Sequence, residues 1–153
     1  MPEIRLESDI RGTAEAVFTA LVDLRGYSRW LAPSTAFPGT TEISPGPVGV
    51  GTTYVESSSQ GVRRGTVTEY QPPDAVAFHQ PMTMKPGLLG VIDIRVRYTL
   101  TQAADSVQLS RVVTLTLPTL LKLARPVVLR EFRKESERTM RALKAFVETQ
   151  AAG

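Results

Sequence analysis

The stretch PVVLREFRKESERTMRALKAFVETQ, residues 126–150, decides the fold. Its large apolar residues recur every three or four positions, the spacing of one buried face of an α-helix; they are Val128, Leu129, Phe132, Met140, Leu143, Phe146 and Val147. A helix of this length spans roughly 36 Å, about the width of a small domain. The pattern therefore predicts a long amphipathic C-terminal helix that packs against a second layer.

The apolar face of this helix has a gap. Ser136 and Thr139 lie between Phe132 and Leu143, where a filled core normally carries larger aliphatic side chains. We interpret the gap as one wall of a pocket between the helix and the layer that covers it.

Composition limits the class of protein. The chain has 153 residues, of which 42% are hydrophobic and 22% charged, and this predicts a single globular domain over residues 1–153. It has no cysteine and one histidine, so we expect no disulfide, no protein-built metal site and no cofactor. Since no long apolar run or secretory leader is visible, we expect a cytoplasmic protein, either a monomer or a homodimer. The basic residues are not interleaved with aromatics, which argues against nucleic-acid binding.

Upstream of the helix, most of the chain has strand patterns. Alternation over residues 3–10 predicts a half-buried strand, and Thr13 is a suitable N-cap for a helix over residues 14–23. A second short helix is predicted at 27–31. A loop-rich stretch over 35–51 allows at most a short strand near 40–44. Five further strands, separated by hairpin-length breaks and therefore antiparallel, are predicted at 52–58, 62–70, 75–82, 91–101 and 106–117.

This element order predicts an α+β fold in which a curved antiparallel sheet of about six to seven strands wraps around the long C-terminal helix, with two short helices after strand 1. The motifs TAEAVF at 13–18, VGTTY at 50–54, GTVTEY at 65–70 and RYTL at 97–100 occur in this order. Together they resemble the helix-grip fold of the START-like (SRPBCC) superfamily, and within it the polyketide cyclase/dehydrase-like proteins. That superfamily contains cyclases, hydrolases and lipid carriers, so the resemblance implies a fold and leaves the function open.

Strand alternation predicts which side chains face the helix. Arg111 has the same parity as Val113 and its other apolar neighbours, so it should point inward. A buried guanidinium needs a partner, and Glu56, Glu69 and Glu135 are the candidates. Arg111 is then either a structural ion pair or an anchor for a ligand's carboxylate or carbonyl. The predicted pocket lining is Tyr54, Glu56, Val67, Phe78, Ile94, Tyr98, Arg111, Val113, Phe132, Ser136 and Thr139.

Parity also predicts the facing of residues outside the proposed lining. Glu69 has the parity of Val67 and is predicted on the same face, whereas His79 has the opposite parity and is predicted at the outer surface. Trp30, at the end of the second short helix, is interpreted as a packing residue rather than a substrate platform.

Two leucine-bearing segments are predicted to form a lid over the pocket mouth. Leu88 and Leu89 lie between glycines in a loop, and Leu120 and Leu121 lie just before the long helix. Exposed leucines at loops usually cover or contact something. Contact with a membrane surface, aided by Lys122, Arg125 and Arg130, and ordinary packing are the alternatives.

The sequence favours binding of a small hydrophobic molecule, such as a lipid, an isoprenoid or an aromatic polyketide-like compound, in a pocket of a few hundred Å3. The alternative is a polyketide cyclase or dehydratase-type enzyme in which Arg111, with Tyr54 or Tyr98, stabilises an enolate. No nucleophile and base pair is visible, so no catalytic residue is assigned. An interaction protein that docks through its basic helix has only the charge surplus of residues 118–150 in its favour.

Overall fold

A computed structural model of the chain describes residues 1–35 and 37–152; Ala36, in the predicted loop, and Gly153, at the end of the predicted domain, lie outside the described residues. Strands and helices follow one another much as predicted. Their bounds are β1 Glu3–Arg11, α1 Ala14–Val22, a first 3-10 helix Leu24–Arg29, β2 Thr53–Ser57, β3 Gly61–Gln71, β4 Ala75–His79, β5 Met82–Met84, a second 3-10 helix Gly87–Leu89, β6 Val91–Gln102, β7 Ser106–Thr116, α2 Thr119–Lys122 and α3 Arg125–Ala152.

The seven strands form one antiparallel sheet in the order β1-β7-β6-β4-β3-β2, with β5 pairing to β3 and β6. Met140, Leu143 and Val147 of α3 are buried in one core with the inward side chains of the sheet and of α1. The predicted α+β architecture is confirmed. Within the described parts of the chain, no helix is both long and apolar enough to cross a membrane.

The C-terminal end of α3 is fixed against the junction of β1 and α1. The Glu148 carboxylate accepts a hydrogen bond from the Arg11 backbone amide at 2.9 Å, and Lys144 donates to the Asp9 carbonyl. Gly12 has a φ of +142°, and a Cβ there would lie 3.2 Å from Cγ1 of Val147, so a side chain would be strained and crowded. At α1 the predicted cap is present, because the Thr13 hydroxyl accepts from the Ala16 amide at 3.1 Å.

Three element predictions need correction. The strand predicted at 75–82 is two strands, because the chain is interrupted at Gln80 and Pro81, and proline has no amide hydrogen to donate to the sheet. The strand predicted near 40–44 is reduced to an isolated antiparallel bridge between Thr41 and Val55. The second short helix is a 3-10 helix over Leu24–Arg29, which starts and ends earlier than the predicted 27–31.

A β-bulge changes the facing of β3. The pairing of β3 with β4 shifts between Val67 and Glu69, so Thr68 is an extra residue in the strand. Val67 is buried, whereas Glu69 lies on the outer face and accepts two hydrogen bonds from Arg97 at 2.8 and 3.1 Å. The prediction that Glu69 shares the face of Val67, and with it the candidacy of Glu69 as a partner of Arg111, is therefore wrong.

Candidate functional site

A cavity of about 80 Å3 lies between the inner face of the sheet and α3. This is room for roughly two or three water molecules, and it is smaller than the few hundred Å3 predicted. Aromatic side chains from the first 3-10 helix and the residues after it form part of the wall: Tyr27, Trp30 and Phe37. The lining residues are Tyr27, Trp30, Leu31, Phe37, Tyr54, Glu56, Arg63, Phe78, Gln80, Val96, Tyr98, Arg111, Glu135 and Thr139.

Aromatic rings form much of the wall. Phe78 lies edge-on to Tyr54, with ring centroids 6.1 Å apart, and edge-on to Tyr98 at 6.3 Å; Tyr27 and Trp30 meet in the same way at 5.3 Å. The Tyr54 hydroxyl donates to Oε1 of Gln80 at 2.7 Å, and Tyr27 donates to the Leu21 carbonyl. Burial raises the pKa of Tyr27 and of Tyr54 well above the usual range, so both phenols are neutral at ordinary pH.

The Tyr54 ring lies directly over Gly65 of β3, its cross-strand partner. A Cβ added to Gly65 would overlap the ring, so this close approach of side chain to backbone requires glycine. The ring therefore lies against the inner face of the sheet, and the cavity lies on the other side of the ring.

Arg111 points into the cavity, as its parity predicted. It is paired with Leu6 of β1 on one side and Tyr98 of β6 on the other, in an uninterrupted register. One guanidinium nitrogen donates to the Tyr98 hydroxyl, and Cζ lies 5.3 Å from the centroid of the Tyr98 ring.

Arg111 does not form the ion pair that was one of its two predicted roles. Among residues 1–35 and 37–152, no carboxylate lies within 4.0 Å of its guanidinium. Its Nε is buried and, within the same residues, has no hydrogen-bond partner. A cation with an unsatisfied buried donor therefore faces the cavity.

Glu56 forms a buried ion pair beside it. Glu56 is 6% exposed, its Oε1 lies 3.2 Å from Nε of Arg63, and its Oε2 accepts from the Thr40 hydroxyl at 3.0 Å. Burial raises the pKa of Glu56, although Arg63, Thr40 and Arg111 each act to lower it. Glu56 therefore binds a proton more readily than an exposed glutamate does.

Glu135 of α3 is shifted in the opposite direction. Burial alone would raise its pKa, but hydrogen bonds from Arg138 at 2.6 Å and from the Ser34 hydroxyl at 3.0 Å outweigh burial and lower the pKa of Glu135. Arg138 also donates to the Ala32 carbonyl at 2.7 Å. These contacts hold the loop that carries Phe37 against the middle of α3. The cavity therefore has a second carboxyl group, and its pKa is shifted in the direction opposite to that of Glu56.

Of the eleven predicted pocket residues, the structure brings six to the cavity: Tyr54, Glu56, Phe78, Tyr98, Arg111 and Thr139. The other five do not line it. Val67, Ile94, Val113 and Ser136 are buried, and Phe132 packs against the core.

The predicted lid residues are not part of the cavity lining. Leu88 and Leu120 are exposed and Leu121 packs on the core, and none of these or Leu89 lines the cavity. His79 is on the outer face, as predicted, with Nε2 2.6 Å from a carboxylate oxygen of Asp93.

Several lining residues were not predicted. Gln80 has the parity of Phe78, and Arg63 that of Val67, so the alternation that identified the other lining residues also indicates these two. Tyr27 and Phe37 come from a 3-10 helix and a loop without sequence period, where no comparable signal exists. Trp30, predicted as a packing residue, both packs on Tyr27 and lines the cavity.

The site offers hydrogen-bonding groups rather than metal ligands. No three side chains of histidine, aspartate or glutamate converge to hold a metal ion anywhere in the described ranges. The groups available at the cavity are therefore the guanidinium of Arg111, the ion pair of Arg63 with Glu56, the carboxyl of Glu135 and the phenols of Tyr27, Tyr54 and Tyr98.

Comparison with known proteins identifies the family. The family model described as polyketide cyclase / dehydrase and lipid transport matches residues 1–148. The chain belongs to this family. A sequence comparison with curated proteins gives no match.

Solved structures similar to this polyketide cyclase/dehydrase family member include a norcoclaurine synthase point mutant from Thalictrum in complex with a transition-state analogue (TM-score 0.74, 14% identity, 98% of this chain and 96% of that chain covered). The di-domain ARO/CYC StfQ from the steffimycin biosynthetic pathway has a TM-score of 0.73 at 16% identity, covering 99% of this chain and 52% of that one. The Aha1 dimer from Colwellia psychrerythraea has a TM-score of 0.67 at 18% identity, covering 97% of each chain. At these identities the likeness establishes the fold alone.

Proposed function

We propose that this protein binds a small hydrophobic molecule, aromatic and carrying a carboxylate or carbonyl oxygen, in the cavity between the sheet and α3. The observation that carries the proposal is Arg111, whose buried Nε has no hydrogen-bond partner among residues 1–35 and 37–152 while the side chain lines the cavity. A buried donor without an acceptor costs about 1–3 kcal/mol. A ligand oxygen at this point would remove that cost and balance the charge.

The rest of the wall supports an aromatic ligand. Tyr54, Phe78 and Tyr98 form a series of edge-on rings, a surface suited to the face or edge of another ring. A ligand larger than a few waters requires the cavity to widen. Trp30 and Phe37 lie outside the sheet, so displacing their rings would enlarge the cavity without breaking strand hydrogen bonds.

The test compares two ligands with one skeleton. 3-Phenylpropanoate carries a carboxylate and 3-phenylpropan-1-ol does not, and fluorescence of the only tryptophan, Trp30, in the cavity wall reports occupancy of the cavity. We expect Arg111→Met to weaken carboxylate binding by about tenfold or more, since a hydrogen bond to a charged group contributes about 1.5–3 kcal/mol. Affinity for the alcohol should change little. Arg95→Met, on the outer face, is the matched control.

An equal loss of affinity for both ligands would mean that Arg111 maintains the shape of the cavity and does not bind the ligand oxygen. If neither ligand binds, solvent extraction of the purified protein yields no bound molecule, and an experimental structure has a filled cavity, the proposal is refuted.

A second candidate function, a cyclase or dehydratase-type enzyme, is favoured by the opposite pKa shifts of Glu56 and Glu135. Two carboxyls in one cavity with pKa values moved apart are the arrangement that divides acid and base roles. In this role Glu56 would exchange a proton with carbon next to a ligand carbonyl, and Arg111 would stabilise the enolate oxygen.

This enzyme hypothesis predicts catalysed exchange of the acidic C1 protons of 2-tetralone in D2O, followed by NMR. A general base contributes about 10²–10⁴-fold, so Glu56→Gln should return the rate to background while Glu69→Gln, on the outer face, leaves it unchanged. Exchange at the background rate with wild-type protein would exclude this role for the probe and leave binding as the function.

A further inference from the structure

Exposed apolar side chains are concentrated at the end of the molecule where α3 begins. Of the seven large hydrophobic residues exposed in the described chain, five lie in residues 85–91 and 118–130: Leu88, Val91, Leu120, Leu123 and Val127. Leu88 is 83% exposed and Leu123 is 86% exposed. We call these two segments the leucine surface.

The two segments adjoin each other. β6 and β7 pair as far as Asp93 with Thr116, so the chain before β6 and the chain after β7 leave the sheet side by side. A Cβ on Gly90 would lie 2.8 Å from Cβ of Pro118, so Gly90 lies beside the Pro118 ring. The segment that carries Leu88 and the segment that carries Leu123 therefore adjoin each other at Gly90 and Pro118.

The charge of the leucine surface has a single sign. Lys85, Lys122, Arg125 and Arg130 are its charged residues, all four are exposed, and neither segment contains an aspartate or glutamate. Within the described residues, none of the four has a carboxylate within 4.0 Å. Arg63, Arg97, Arg138 and Lys144, by comparison, are each paired with a glutamate. What distinguishes the leucine surface is that its charges are all positive and lie among exposed leucines.

Leucines on convex turns surrounded by unpaired cations match one partner better than others. An apolar groove would accept a helix or peptide, but Leu88 and Leu123 are almost fully exposed, and they line neither the cavity nor the two surface depressions bordered by Trp30 and by Arg95. A bilayer with anionic headgroups offers both an apolar interior for projecting side chains and phosphates for the basic ones.

We propose that the leucine surface docks the protein reversibly on an anionic lipid bilayer. Leu88 and Leu123 enter the boundary of the acyl region, and Lys122 and Arg125 contact the headgroup phosphates. This surface shares no residue with the cavity lining, so the proposal stands independently of the ligand proposed above.

The experiment is flotation of the whole protein with vesicles. Wild-type protein should float with vesicles of phosphatidylcholine and phosphatidylglycerol, much less with phosphatidylcholine alone, and less as salt increases. Leu88→Ser/Leu123→Ser should lower partitioning about tenfold or more. Lys122→Ser/Arg125→Ser should lower it by about thirtyfold on anionic vesicles, from the contribution of each basic residue near an anionic surface. Val50→Ser, which removes an exposed apolar residue elsewhere, is the matched control.

Because all four substituted residues are exposed, circular dichroism and thermal unfolding should be unchanged, which separates lost docking from lost folding. Absence of wild-type protein from the anionic vesicles would overturn the proposal. Flotation of both double variants at the wild-type level would overturn it as well. So would a homodimer, measured by light scattering, that ignores vesicles and dissociates on Leu88→Ser/Leu123→Ser, since the leucine surface would then be a contact between two copies.

Discussion

Arg63 and Arg111 are two inward arginines on one cavity wall, and they should respond in opposite ways to the same substitution. Arg63 is paired with buried Glu56, and their side chains are 12% and 7% exposed. Arg63→Met would leave a carboxylate buried without its cation, which costs about 3–5 kcal/mol of unfolding free energy when a buried pair is broken. Arg111→Met strands no carboxylate.

For Arg111→Met, the gains and losses in unfolding free energy nearly cancel. The change removes a charged hydrogen bond to Tyr98 worth about 1.5–3 kcal/mol, and it also removes a buried unsatisfied Nε that costs about 1–3 kcal/mol. The methionine side chain is apolar and follows the arginine chain as far as Nε, so it replaces the buried stem and leaves the space of the guanidinium head as part of the cavity. We expect a net change within about 1 kcal/mol of zero.

Urea unfolding followed by circular dichroism measures both variants. With a slope near ~2 kcal/mol per M, Arg63→Met should lower the midpoint by about 1.5–2.5 M, whereas Arg111→Met should move it by less than about 0.5 M. A loss for Arg111→Met as large as that for Arg63→Met would refute the reasoning, because it would mean that Arg111 has a stabilising counter-charge. Arg95→Met, on the outer face, controls for loss of an arginine.

Three further predictions concern Glu56, Ser34 and Thr13. Burial raises the pKa of Glu56 above 4.5 in the folded protein. The contribution of Glu56 to stability is therefore largest below pH 4.5 and is lost as the pH rises through the folded-state pKa. The unfolding free energy of the wild type, relative to that of Glu56→Gln, should fall over this pH range. Ser34→Ala removes the hydroxyl that binds both Glu135 and the Phe37 amide, at about 1 kcal/mol, and should speed hydrogen exchange of that amide. Thr13→Ala removes the cap of α1 and should lower unfolding free energy by about 1 kcal/mol, and an unchanged urea midpoint would contradict it.

Alternation in the sequence predicts side-chain facing only while a strand keeps its register. β7 pairs with both neighbours without interruption, so the parity of Arg111 gave its true direction. In β3 the bulge at Thr68 turned Glu69 outward. Nothing in the side chain of Thr68 distinguishes it from a regular strand residue, so the bulge could not be predicted from sequence.

The pocket was harder to predict because its size depends on segments far apart in sequence. Ser136 and Thr139 formed the predicted gap in the helix, but three residues turn a helix by roughly 300°, so the two side chains point about 60° apart. Thr139 lines the cavity, whereas Ser136 is buried outside its lining. Tyr27 and Phe37 also line this cavity, and they belong to a 3-10 helix and a loop whose sequences have no periodic pattern.

The glycine beneath Tyr54 makes the volume of the cavity separately adjustable. The three atoms nearest to a Cβ on Gly65 all belong to Tyr54, so any side chain there must lift the Tyr54 ring off the sheet. Gly65→Ala would therefore push the Tyr54 phenol into the cavity and reduce its volume, while the side chains of Arg111 and Glu56 remain unchanged. In an engineered version of this scaffold, substitution at position 65 is the way to reduce the cavity volume without replacing a polar lining residue.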